Sequence, residues 1–175
     1  EKNSPSTLER IEAGRKCQEA GYHVRGRFSP IVPVRGWREE GARMIEQYLE
    51  RVRPDVITMD PLCHLGYDRL CVCIDVGLLD PIYVDAVRAL HEADPHPGKP
   101  FHPAGKQILP HDLRLDILRF YVDEIRRHDS EVPISFCDET PEMWAEFTRR
   151  ELGHGPDDYV CTCGPTSVPG IMAIR

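Results

Sequence analysis

The chain has 175 residues, 41% of them hydrophobic and 29% charged, with a formal net charge of -7. That length suits one domain, and the composition excludes an intrinsically disordered chain. The acidic balance argues against broad, non-specific nucleic-acid binding, and the lack of any apolar run of about eighteen residues argues against a membrane-spanning helix.

Helical and extended patterns alternate along the chain. Ser6 and Glu9 have the spacing of a capping box, Leu8, Ile11 and Cys17 keep to one face behind it, and Gly21 is the expected stop. The stretch YHVRGRFSPIVPV is rich in β-formers and ends in prolines, so it reads as a strand running into a loop. From Trp37, the positions Met44, Ile45, Tyr48, Leu49 and Val52 describe an amphipathic helix that Pro54 stops. DVITMD reads as a short buried strand, since Val56, Ile57 and Thr58 are β-branched. CVCIDVGLL fits a strand or an irregular segment, and a helix follows over 81–93 with Val84, Val87 and Leu90. Residues 94–110, with five prolines and two glycines, read as a long loop of the kind that is often functional. Leu115, Leu118, Tyr121, Val122 and Ile125 then predict another helix, VPISFC another strand, and TPEMWAEFTRREL a last helix ended by Gly153.

This alternation predicts an α/β fold with parallel strands and crossover helices, whose chemistry gathers at the strands' C-terminal ends. Phe28-Ser29-Pro30, Met59-Asp60-Pro61 and Cys137-Asp138-Glu139 would meet there. Three or four strands are too few for a closed barrel, so either the sheet is open or strands are missing upstream of residue 1. The first residues carry no signal-peptide pattern and no initiator Met; a cytoplasmic location, and a chain that is a piece of something longer, are the expectations. Residues 1–152 form the expected domain, and 153–175 an irregular, cysteine-containing tail.

Seven cysteines, an odd number, favour free thiols or metal ligands over a disulfide framework. C-x-C occurs at Cys71/Cys73 and Cys161/Cys163. Structural zinc usually uses longer spacing, so these pairs point less specifically to metal. Cys71 and Cys73 would share a face in a strand as buried thiols. Cys161 and Cys163 sit in a Gly/Pro-rich tail where burial explains less, which makes them the candidate metal or redox pair. His91, His96, His102 and His111 lie in or beside the Pro-rich loop, either as ligands or as a solvated polar surface. Lys106, between Gly105 and Gln107, is the candidate there for a phosphate or carboxylate contact. Thr140, Pro141 and Glu142 form a helix start, with Thr140 as N-cap and Pro141 at the first helical position. Asp138 and Glu139 are not needed for that cap. No P-loop, nucleophile elbow, dinucleotide glycine set or HExxH is present, which lowers the weight of hydrolytic and NTP-driven chemistry.

The order EKNSPSTLERIEAGRKCQEAGY, RFSPIVPVRGW, the GK of PAGKQI, then ISFCDETPEMW resembles the C-terminal half of spore photoproduct lyase-like radical S-adenosylmethionine proteins. Glu1, Ser4, Pro5, Ser6, Arg10, Ile11 and Ala13 carry the first block. Ser29, Pro30, Ile31, Gly36 and Trp37 carry the second, and Cys137, Glu139, Pro141, Glu142 and Trp144 the third. The resemblance spans about residues 1 to 150. It implies a partial (β/α) barrel that binds a [4Fe–4S] cluster and S-adenosylmethionine at its open rim, and a lyase acting on DNA photoproducts or another large substrate through a 5′-deoxyadenosyl radical. Glu1, Ser4, Arg10, Ser29, Lys106 and Glu139 are the residues it points to for the cofactor, since carboxylates take ribose hydroxyls while cations or hydroxyls take the amino-acid carboxylate. The family's C-x3-C-x2-C motif does not occur among the 175 residues, so the cluster's thiolates are expected outside this chain. Two alternatives stay open: a metal-binding accessory protein using the C-x-C pairs and the histidine loop, and a non-catalytic α/β scaffold.

Overall fold

The computed structural model describes residues 4–62, 65–93, 109–137 and 139–154. Among them are three short strands, β1 (Gly26–Ile31), β2 (Ile57–Pro61) and β3 (Ile134–Phe136), which form one parallel sheet in the order β1-β2-β3. The pairing places Gly26, Ile57 and Ile134 in one row, Arg27, Thr58 and Ser135 in the next, and Phe28, Met59 and Phe136 in the third. β1 bulges beyond Phe28, where the Ser29–Pro30 peptide is cis.

Helix α1 (Thr7–Glu19) starts at the expected capping box: Ser6 Oγ accepts from the Glu9 N–H at 3.3 Å, and Glu9 Oε2 accepts from the Ser6 N–H at 2.7 Å. Helix α2 (Trp37–Arg51) leads from β1 to β2. Between β2 and β3 come α3 (Tyr67–Cys73), a 3-10 turn (Val76–Leu78), α4 (Pro81–Ala93) and α5 (His111–His128). The chain ends its described part with α6 (Pro141–Ala145) and α7 (Arg149–Leu152).

Parallel strands joined in sequence order require crossovers, and the fixed hand of such crossovers puts successive helices on the same face of the sheet. The packing shows this. Trp37 of α2 stacks parallel to Tyr121 of α5 at 6.2 Å, and Arg38 pairs with Asp116 at 2.6 Å. Phe28 of β1 meets Tyr48 of α2 at 5.5 Å and Tyr121 at 6.4 Å. The core lies between these helices and the row positions Ile57, Met59, Ile134 and Phe136. Two glycines permit the contact: a Cβ on Gly26 would stand 2.9 Å from the Tyr48 hydroxyl, and one on Gly41 3.0 Å from the Tyr121 hydroxyl.

A second apolar cluster, Leu70, Leu79, Tyr83, Val87 and Leu109, packs beside Val32, Val34 and Leu62, just past the ends of β1 and β2. Tyr83 donates its hydroxyl to the Leu62 carbonyl at 2.8 Å, and Val34 bridges Leu79. The described part of this connection, α3 to α4, therefore forms a wall beside the strand ends.

Two expectations are corrected. CVCIDVGLL is not a strand: Cys71–Cys73 completes α3, anchored by fully buried Leu70, and the 3-10 turn follows. TPEMWAEFTRREL is two helices. The chain breaks at 146–148 so that Phe147 can pack on Phe136 at 4.8 Å, and Thr148 restarts the helix with its own capping box to Glu151.

Candidate functional site

The pleat sends alternate side chains to opposite faces. With the helices covering Phe28, Met59 and Phe136, the other face carries Arg27 and Ser29 from β1, Thr58 and Asp60 from β2, and Ser135 from β3, with Cys137 just past its end. None of these is an aliphatic or aromatic residue. Thr58 and Ser135 are 0% exposed. Two contacts tie this face together: Ser29 Oγ donates to Asp60 Oδ2 at 3.1 Å between the neighbouring β1 and β2, and Arg27 Nη2 of β1 lies 3.8 Å from Sγ of Cys137, just past β3. Among the described residues the Ser135 hydroxyl finds no hydrogen-bond partner. A parallel sheet ordinarily fills such a face with branched apolar residues. Here it is lined for polar chemistry.

Glu139 stands where β3 leaves the sheet. Its carboxylate is fully buried, and Oε2 accepts from Nη1 of Arg114 on α5, which also reaches the Leu109 carbonyl through Nε at 3.3 Å. Burial pushes the Glu139 carboxyl above the usual carboxylate range; Arg114 and the Thr140 N–H pull it back, and the Asp60 charge adds to the upward push. Thr140 caps α6 by accepting from the Met143 N–H at 3.2 Å, with Pro141 opening the helix, as the sequence implies.

Of the residues singled out from sequence, Ser29 and Glu139 sit at the strand ends beside Asp60. Ser4 and Arg10 are joined to each other at the start of α1, where Arg10 Nη2 donates to Ser4 Oγ. Glu1, Lys106, Asp138, Cys161, Cys163, His96 and His102 lie outside the described residues. His91 faces Asp68 at 3.5 Å and His111 faces Glu146 at 3.2 Å, on different parts of the molecule. Cys71 and Cys73 are both exposed. Two apart on a helix, they project about 200° from one another, so the expected shared face is lost. Among the described residues no group of His, Cys, Asp and Glu has the arrangement to hold a metal ion, and no helix is long and apolar enough to cross a membrane.

No protein-family model, curated protein or solved structure matches the chain.

Sequence reasoning missed Arg114. The signal was there: Arg114, Ile117, Leu118 and Tyr121 follow the helical period along the buried stripe of α5. An arginine inside such a stripe asks for a buried acid. His154 was also missed; it is 5% exposed, with Nε2 2.7 Å from the Ile134 carbonyl.

Proposed function

We propose that this chain supplies C-terminal strands of a partial (β/α) barrel in a radical S-adenosylmethionine enzyme resembling spore photoproduct lyases, acting on DNA or another large substrate. The observation that carries the reading is the polar second face of the sheet. In a partial barrel the face turned away from the crossover helices would be the lumen side, and one carrying Arg27, Ser29, Thr58, Asp60 and Ser135 is suited to a polar ligand and unsuited to dry packing.

The nucleoside cofactor fits what the residues offer. Glu139 Oε1 and Ser135 Oγ are buried and, among the described residues, without hydrogen-bond partners, so both would gain from a ligand hydroxyl or amino group. Ser29 and Asp60 extend the same surface toward the rim. The iron–sulfur cluster does not fit the described residues, which carry no group of thiolates arranged to hold it; on this reading its ligands come from outside this chain. When bound, S-adenosylmethionine supplies the radical precursor. What these residues do is hold the nucleoside by hydrogen bonds, with the α3–α4 wall limiting water at one side.

Isothermal titration of the anaerobically purified full chain with S-adenosylmethionine tests this. Saturable binding that Ser135→Ala and Ser29→Ala both weaken supports it; no binding at millimolar cofactor sinks it.

A further inference from the structure

Cys137 is half-buried just past β3, and its N–H still bonds the Met59 carbonyl at 2.8 Å, so the pleat continues through it. Its thiol therefore shares the polar face with Ser135, two positions earlier. Arg27 Nη2 reaches Sγ from β1 at 3.8 Å. A guanidinium beside a thiol favours the thiolate, which is the nucleophilic form. Among the described residues, Cys137 is the cysteine that meets a guanidinium; Cys17, Cys71 and Cys73 are instead exposed.

Ser135 supplies a second, independent observation. It is 0% exposed, and its hydroxyl finds no partner among the described residues. Buried hydroxyls are ordinarily bonded, so a bare one is an open requirement for a small polar molecule. Side chains two apart on one strand face stand about 6.6 Å from each other. That is too long for a bond between them and suits one small molecule lying between.

We propose that Cys137 is a peroxide-reactive thiol, with Arg27 holding its thiolate and the Ser135 hydroxyl receiving the leaving oxygen. The oxidant is hydrogen peroxide. The thiolate sulfur attacks the nearer oxygen, the S–O bond forms and the O–O bond breaks. Sulfur gives up two electrons and becomes sulfenic acid. The farther oxygen leaves as hydroxide, accepts a hydrogen bond from Ser135 and takes a proton from solvent to become water. This chemistry needs no cofactor and is independent of the reading above.

The test uses the full chain, reduced and without cofactor, exposed to hydrogen peroxide with dimedone present as the sulfenic-acid trap. Peptide mass spectrometry then gives the rate at each of Cys17, Cys71, Cys73 and Cys137. Exposure alone predicts that Cys137 is the slowest of the four. A stabilised thiolate is also less nucleophilic, so each tenfold gain in thiolate leaves about a threefold gain in rate. Cys137 is therefore expected to react about 3- to 10-fold faster than the other three. Arg27→Met should remove that lead, and Arg27→Lys, which keeps the charge, should retain part of it. Ser135→Ala should slow the peroxide reaction about 3- to 10-fold, the range for one hydrogen bond. It should leave alkylation of Cys137 by iodoacetamide unchanged, because that reaction expels no hydroxide; loss of packing would slow both.

The wild-type ranking decides the matter even where a variant fails to fold: a Cys137 no faster than the exposed cysteines overturns the proposal. So does a folded Arg27→Met that keeps the lead, or a Ser135→Ala chain that treats both reagents as the wild type does.

Discussion

Arg114 on α5 and Glu139 beyond β3 form a buried ion pair across 25 residues of chain, with side chains 5% and 0% exposed. The pair ties the helix that follows the wall to the end of the last strand. Removing one partner leaves the other charged and buried, which is costly, whereas replacing both by apolar residues is often neutral. Arg114→Met is therefore expected to lose about 3–5 kcal/mol, and Arg114→Met/Glu139→Leu to recover most of it. Urea denaturation of the four forms measures the cycle; equal losses in the single and double variants would refute the pairing.

The same pair gives a pH prediction. Without Arg114 the folded-state pKa of Glu139 rises further, because the group that pulled it down is gone. A raised carboxyl contributes stability below its unfolded value of about 4.3 and loses it as pH climbs through the folded value. The deficit of Arg114→Met relative to wild type should shrink as pH falls toward 4 and widen toward neutrality. A deficit that stays constant across that window would mean that the cost lies in packing and not in charge.

Much of the fold could be read from local patterns. Ser6–Glu9 and Thr140–Pro141 announce helix starts because capping is satisfied within a few residues. The strand ends at 28–30, 59–61 and 137–139 were placed by alternation alone. What escaped depended on partners distant in sequence. The break between α6 and α7 exists because Phe147 is wanted in the core beside Phe136. Arg114 becomes meaningful only once α5 packs below Glu139. The polar face of the sheet was visible as Arg27, Ser29, Thr58, Asp60 and Ser135, but the fact that all share one side depends on register, which a sequence does not state.

Three glycines test the packing between layers. Gly14 in α1 meets Val52 and Val24 only at 3.5 Å and beyond, so Gly14→Ala should stabilise by about 0.5–1 kcal/mol through helix propensity. Gly41 is also helical, yet its Cβ would stand 3.0 Å from the Tyr121 hydroxyl and 3.3 Å from the Phe120 ring. Gly41→Ala should instead destabilise by about 1–3 kcal/mol, as should Gly26→Ala beneath Tyr48. Thermal melts of the three variants should show opposite signs for two substitutions that local propensity treats alike.

Tyr121 links this interlayer to alkaline pH. Burial pushes its phenol from the ordinary 10.0 up to about 12. A group whose folded pKa is raised contributes fully below its unfolded pKa and loses that contribution as pH rises through the folded one. Stability should fall between about pH 10 and 12, by about 2–3 kcal/mol for this tyrosine. Tyr121→Phe should flatten that decline while leaving neutral-pH stability close to wild type. Phenolate absorbance followed alongside circular dichroism would check it; ionisation of Tyr121 well before unfolding would show that the ring is not sealed.

Ser135 separates stability from binding on the polar face. Its hydroxyl is buried and has no partner among the described residues, so the folded chain bears a desolvation cost with no bond there to offset it. Ser135→Ala removes that cost and is expected to be neutral or to stabilise by about 1 kcal/mol. On the function proposed above, the same substitution should weaken S-adenosylmethionine binding, because the hydroxyl would be bonded only by the ligand. Groups that lower stability and raise affinity together are expected at sites shaped for a ligand and not for the core. A Ser135→Ala chain that is less stable than wild type would place the hydroxyl in an internal bond, and unchanged cofactor affinity would remove this part of the sheet from the site.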